Sequence, residues 1–263
     1  MNILNLNIDH ILSFITILVR TLMVITLLPL FGEAFIPSIV KVAFAFVISV
    51  VLYPVVKIDA SLFPQTIPGF LTAMVPEFLF ALSVGLSARL IFAGIQLGGQ
   101  LAGMQIGFGY ANVVSPTESN QISIFAQFEY LMAILVFFVF NIHYFFFKAL
   151  ALSFEIMPPF QQFENIQNLT VFINQRALAM YILSIKIGAP IIAGILLTDT
   201  LLALISKAVP QLNVFIEGFP IKILIGLSLA VFSLSFILAV MKNSFFEMDN
   251  ILLSLLSIFR PTS

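Results

Sequence analysis

Residues 177–205 read ALAMYILSIKIGAPIIAGILLTDTLLALI, a stretch in which only Lys186 and Asp199 carry charge. A hydrocarbon core about 30 Å thick is crossed by roughly 20 apolar helical residues, so this stretch crosses it with residues to spare. Its apolar positions run on without the alternation of a barrel strand. In lipid only helices and closed barrels satisfy every backbone N–H and C=O, so the stretch is a membrane helix. The same reading finds five more segments, at 11–31, 38–56, 70–95, 122–147 and 219–241. The fold class that follows is all-α, a polytopic membrane protein of about six hydrophobic helices in a single domain over 1–263.

Composition points the same way. Hydrophobic residues make up 61% of the chain and charged ones 9%, against about 25% charged in soluble domains; the mean hydropathy is +1.15. Eleven Lys and Arg against twelve Asp and Glu give a net charge of −1, which leaves no basic field to hold nucleic acid. The chain has no cysteine, so disulfides, thiolate metal sites and cysteine nucleophiles are excluded. No Lys or Arg precedes Arg20, and a cleaved signal peptide needs a positive leading region, so the first apolar segment is expected to stay. With six spans, Lys57, Lys148, Arg176, Lys242 and Arg260 fall on one side and Lys41, Lys207 and Lys222 on the other, which favours both termini inside.

Enzyme readings find no constellation to rest on. His10 and His143 are the two histidines, and neither H-E-x-x-H nor G-x-S-x-G occurs. Gly107-Phe108-Gly109 begins like a dinucleotide fingerprint, but it follows a glycine-rich helix and lacks the third glycine. Met104 and the other methionines read as adaptable packing. No metal and no cofactor are expected.

Charges within spans demand a reason, because one at the centre of a bilayer costs at least about 2.5 kcal/mol on insertion scales. Lys41, Glu77 and Glu129 lie near segment ends, where long side chains snorkel. Arg20, Arg89, Lys186 and Asp199 do not. Lys186 and Asp199 are thirteen residues apart, about 20 Å along a helix and off a common face, so each needs a partner from another element. In a small-solute secondary transporter these charges would form a coupling site beside a helix broken at Gly188-Ala189-Pro190. In a multi-subunit assembly they would be buried and paired across interfaces.

Glycines supply a further pattern. Gly94, Gly98, Gly99, Gly103 and Gly107 repeat the G-x-x-x-G spacing that lets another backbone approach closely, within the chain or from a neighbour. The run leads into Ile106–Gln121, IGFGYANVVSPTESNQ, which is rich in Gly, Asn and Ser and holds one charge, Glu118. That segment is neither an ordinary solvated linker nor a helix continuation. At the other end of the chain, Phe245, Met248, Leu252, Leu255 and Phe259 recur at helical spacing, and Ser244 with Glu247 has the form of a capping box. Residues 244–259 are expected to be an amphipathic helix lying on a membrane or a partner.

Several of these stretches together resemble the FliR family of flagellar type III secretion export-gate subunits, with SpaR/SctT relatives in injectisomes. They are Arg20 with Pro29-Leu30-Phe31-Gly32 and Pro37, the segment from Gly103 to Pro116, Ser153-Phe154 with Pro158, and most specifically Pro210-Gln211-Leu212-Asn213-Val214-Phe215 with Gly218-Phe219-Pro220-Ile221-Lys222. The resemblance spans the chain. One departure stands at Asn112-Val113-Val114-Ser115-Pro116, where the family pattern has Asn-x-x-Asp-Pro; Ser115 removes a charge and a capping carboxylate, though serine, too, is a residue type that can cap.

What the resemblance implies is concrete. Kinked or broken helical hairpins would pack with FliP- and FliQ-like subunits into a closed pore in the bacterial inner membrane, at the flagellar basal body. FlhB-like and FlhA-like subunits would adjoin it. Unfolded export substrates would pass through, and no enzymatic activity is implied. The pore plug would be the loop after the third hydrophobic segment, here Ile106, Gly107, Phe108, Gly109, Tyr110, Ala111, Asn112, Val113, Val114, Ser115 and Pro116. Gly94, Gly98, Gly99 and Gly103 would pack its base, and Arg20, Arg89, Lys186 and Asp199 would be subunit-interface charges. Pro210, Gln211, Asn213, Gly218 and Pro220 form the family's signature turn. Some apolar helices would then be covered by other subunits instead of membrane lipid.

Overall fold

The structure, a computed structural model, describes residues 8–29, 36–56, 58, 63–64, 66–108, 123–160, 163, 165–209 and 214–260. These residues form seven α-helices and no strand. They are α1 (Ile8–Leu27), α2 (Ser38–Leu52), α3 (Ile67–Ile106), α4 (Ile124–Val139), α5 (His143–Ile156), α6 (Ile166–Ala208) and α7 (Val214–Ile258). The chain is an all-α polytopic membrane protein. Four helices are long and apolar enough to cross a bilayer, and α4 with α5 makes a fifth if the bent pair counts as one span. With 40, 43 and 45 residues, α3, α6 and α7 are each about twice as long as one crossing requires.

Three expectations need correction. The segment 122–147 is not one helix, because α4 stops at Val139, α5 starts at His143, and the two are bent by 61°. Asn141 at the break has φ 55°, a left-handed conformation that Asn tolerates better than most residues and that no right-handed helix contains. The third segment, expected to end at Ile95, continues to Ile106. Hydropathy falls over 96–105, yet low hydropathy there marks close packing and not the end of the helix.

The last correction concerns the tail. Residues 244–259 are not a separate surface helix, since α7 runs unbroken from Val214 to Ile258, and Ser244 and Glu247 lie inside it with no terminus to cap. Its apolar stripe is buried within the chain, with Phe245, Met248, Leu252, Leu255 and Phe259 all at most 4% exposed.

Packing groups the chain into two compact units, where composition alone suggests one domain. The first holds Met1–Arg89, Ile142–Arg176 and Glu247–Ser263. Its core includes Ile17, Phe80, Phe146, Leu150 and Leu252, and Phe259 stacks on Phe163 at 4.5 Å while meeting Phe80 edge-on at 5.5 Å. The second unit holds Leu90–Asn141 and Ala177–Phe246. Ile95, Ile106, Ala133, Ile187 and Met241 fill it, and Phe245 closes against Phe92 at 5.2 Å and Phe137 at 5.7 Å. Large apolar side chains such as Val231, Phe232 and Leu224 remain exposed, as lipid or protein neighbours require.

Candidate functional site

The second unit positions the ends of the loop that follows α3. Helix α3 ends in a complete left-handed cap: the Phe108 N–H donates to the Gly103 carbonyl at 3.0 Å and the Gly107 N–H to the Met104 carbonyl at 3.2 Å. Gly107 takes φ 111°, which a side chain would strain, so glycine is required where the chain leaves the helix. The chain returns at Ser123, whose Oγ accepts from the Phe125 N–H and caps α4. The Ser123 N–H donates to the Gln100 side chain at 2.8 Å. A Cβ on Gly103 would overlap the Ser123 hydroxyl. Departure and return of the loop are therefore pinned to the same turn of α3.

The glycine stripe explains how this base is built. Gly94 and Gly98 face α6, where a Cβ would come within 2.9 Å of the Met180 carbonyl oxygen and 2.8 Å of that of Ser184. Gly99 and Gly103 face α4 instead, against Ala126, Glu129 and Ser123. Two glycine pairs at four-residue spacing, offset by one position, thus let α3 approach one helix on each side. The stripe serves packing inside the chain.

The signature turn meets the same place. The Phe219 ring packs against Gly107, with ring atoms 3.2 Å and 3.3 Å from where a Cβ would stand, and Gly226 of α7 makes room for Ile106. Gly218 is buried and Pro220 exposed in the early turns of α7. Beside them Lys222 pairs with Asp199 at 2.8 Å, on the wall of a cavity of about 340 Å³ that Met104, Gly107 and Phe219 also line. Of the expected loop residues, Ile106 is buried and Gly107 and Phe108 half-buried. Gly109, Tyr110, Ala111, Asn112, Val113, Val114, Ser115 and Pro116 lie outside the described residues, as do Pro210, Gln211 and Asn213.

The four expected interface charges part company. Arg20, fully buried in the first unit, meets Glu77 through two bonds, Nε at 2.5 Å and Nη2 at 2.6 Å. Its remaining N–H groups donate to Ser153 Oγ at 3.2 Å and to the carbonyls of Ser153 and Met157 at 3.0–3.1 Å. The Phe154 ring lies 4.3 Å from the guanidinium carbon. Arg20 thus ties α1 to α3 and reaches the end of α5, where the Ser153 carbonyl also accepts the Met157 N–H at 2.9 Å. Arg89 is exposed and donates to the Leu27 carbonyl at 3.0 Å, capping α1, whose approach Gly85 permits.

Arg20 and Asp199 therefore find charged partners on other helices of the same chain, whereas the resemblance implies subunit-interface roles for them. Of the four, Lys186 is an exposed lysine with no ion pair among the described residues. It is not brought to Asp199, and α6 continues without interruption past Pro190, so the broken-helix coupling site of a transporter does not form.

Sequence reasoning missed Gln100 and Ser123, and it read Glu77 and Glu129 as snorkelling residues near segment ends. Ser123 was legible, since a serine directly before an apolar run signals a helix start. Glu77 reads as a snorkelling end residue only if α3 starts at 70; from Ile67 it sits nearly three turns inside. Glu129 is 2% exposed, and its carboxylate oxygens accept no hydrogen bond among the described residues.

Comparisons with known proteins converge. The model of the bacterial export proteins, family 1, matches residues 11–248. The flagellar biosynthetic protein FliR of Bacillus subtilis strain 168 is 30% identical over 244 residues, which cover 92% of this chain and 93% of that one. The protein of the same name from Aquifex aeolicus strain VF5 is 30% identical over 217 residues, 82% and 83% of the two chains. That of Escherichia coli K12 is 25% identical over 244 residues, 91% of each.

Proposed function

The chain belongs to the FliR family of bacterial export proteins, and on that premise we propose that it is a core, non-enzymatic subunit of the flagellar type III protein export gate. Its place is the bacterial inner membrane, within the flagellar basal body. With FliP- and FliQ-like subunits it encloses the pore through which unfolded flagellar proteins leave, and FlhB-like and FlhA-like subunits adjoin it. The segment from Ile106 to Pro116 plugs that pore.

One observation supports the plug above the others: both ends of the loop are fixed to one turn of α3, through Gln100, Gly103 and Ser123. A loop anchored in this way changes conformation without pulling on the helices that carry it, and its small polar residues offer few large apolar contacts to hold it in one state. Interfacial charges do not support the reading in the form expected, because Arg20 and Asp199 are satisfied internally.

The test is an internal deletion within residues 110–118, made in the full chain and expressed with the rest of the apparatus. The expected result is a complex that still assembles and a membrane that now leaks small ions or solutes. Unchanged permeability in an assembled complex would remove the plug assignment.

A further inference from the structure

Lys186 stands on an exposed face of α6 where nothing in its own unit meets its charge. Ile182, Lys186, Ala189, Ala193 and Leu197 recur at helical spacing on that face, and all five are exposed. The described acids of the second unit are engaged elsewhere, since Asp199 pairs with Lys222 and Glu129 is buried against Gly99.

The depth of Lys186 follows from the packing of α6 on α7. Gly194 lies against Leu229, and Asp199 pairs with Lys222 at 2.8 Å, so the two helices run antiparallel and Lys186 stands level with Phe236. Between Lys222 and Lys242, residues 223–241 of α7 carry no charge. A helix of that length spans about 28 Å, the thickness of one hydrocarbon core. Lys186 therefore lies about 9 Å inside the boundary marked by Lys242 and about 20 Å from the one at Lys222. A cation at that depth needs either a path past Ile182 to lipid headgroups or a carboxylate beside it. The neighbouring alanines favour the carboxylate, because Ala189-x-x-x-Ala193 has the small-residue spacing that lets a second helix approach closely.

We propose that this face of α6 packs against an apolar helix of a different subunit that carries a single Asp or Glu, whose carboxylate accepts from the Lys186 ammonium. The proposal rests on the reading of the chain as one subunit of a larger export apparatus. The alanines set the distance between the helices and the ion pair sets their register, because only one position of the incoming helix brings its carboxylate to Lys186.

The test places a photo-crosslinking phenylalanine analogue at Leu197, which is large and 68% exposed, in the full chain and in cells expressing the rest of the apparatus. The adduct is mapped by mass spectrometry. The expected adduct joins Leu197 to an apolar helical peptide of another subunit that contains one Asp or Glu. Lys186→Glu lowers its yield at least tenfold, and replacing the mapped acid by Lys in the same cells restores it. Lys186→Met, which keeps the length of the side chain and suits an apolar face, lowers the yield at least threefold.

Adducts confined to lipid, to a second copy of this chain or to its own residues would overturn the proposal. So would a mapped peptide without an acid, or an undiminished adduct with Lys186→Met. Secretion of filament protein is read in the same cells: secretion that depends on the chain while the adduct is lipid alone overturns the α6 interface only, whereas normal secretion in cells lacking the chain overturns the export reading.

Discussion

The ring of Phe219 lies so close to Gly107 that a Cβ there would meet its edge at 3.2–3.3 Å. The relationship joins the end of α3 to the start of α7, two elements more than a hundred residues apart in the chain. It places the family's signature segment against the point where the proposed plug leaves its helix. Whatever moves α7 near Phe219 therefore acts on the loop at its root.

Gly107→Ala tests that contact. The substitution puts a side chain at φ 111°, a strain of about 1–3 kcal/mol, and forces the Phe219 ring to shift. The expected outcome is a reduced amount of assembled complex and reduced secretion. Adding Phe219→Ala recovers part of the loss and not all, since it removes the contact but leaves the backbone strain.

Arg20 and Glu77 predict a different pattern. Arg20→Met leaves a buried carboxylate without its cation, which destabilises by about 3–5 kcal/mol. Arg20→Met with Glu77→Leu is expected to be milder than Arg20→Met alone, although the Met157 carbonyl still loses the Arg20 donor. Thermal unfolding of the chain in detergent measures both. A double variant as unstable as the sum of the singles would contradict the pairing.

For Asp199 the expectation is small. Its ion pair with Lys222 is partly exposed, at 39% and 23% of the side chains, and exposed pairs contribute about 0.2–1 kcal/mol. Asp199→Asn should leave the unfolding midpoint within a few degrees of the parent. A loss as large as that of Arg20→Met would contradict the weak contribution expected of a partly exposed pair.

Gly98 tests the close approach of α3 and α6. A Cβ there would lie 2.8 Å from the Ser184 carbonyl oxygen and 3.0 Å from Ile187 Cβ. Gly98→Val is expected to force the helices apart at a loss of about 1–3 kcal/mol, seen as lower yield of folded chain. Wild-type yield would mean that the helices separate without penalty.

Much of this was legible in the sequence because lipid leaves few choices. Uninterrupted apolar runs identified the helices, and four-residue glycine spacing identified α3 as the helix that others approach. Hydropathy misled where it measures something other than helicity. It ended α3 at Ile95, although Gln96 to Gln105 stay helical under cover of neighbours, and it ran α4 into α5 across Asn141, where a single left-handed residue breaks the helix. The charges were recognised as out of place in lipid, but pairing across 57 residues, as between Arg20 and Glu77, leaves no local trace. Gln100 was missed and Glu129 read as a snorkelling residue for the same reason: their significance lies in what surrounds them.

The most direct test of the account is the amount of flagellar filament protein secreted by cells that lack this chain, compared with the same cells supplied with it. The account predicts secretion reduced to background without the chain and restored by its return. Equal secretion in the two would contradict its place in the export gate.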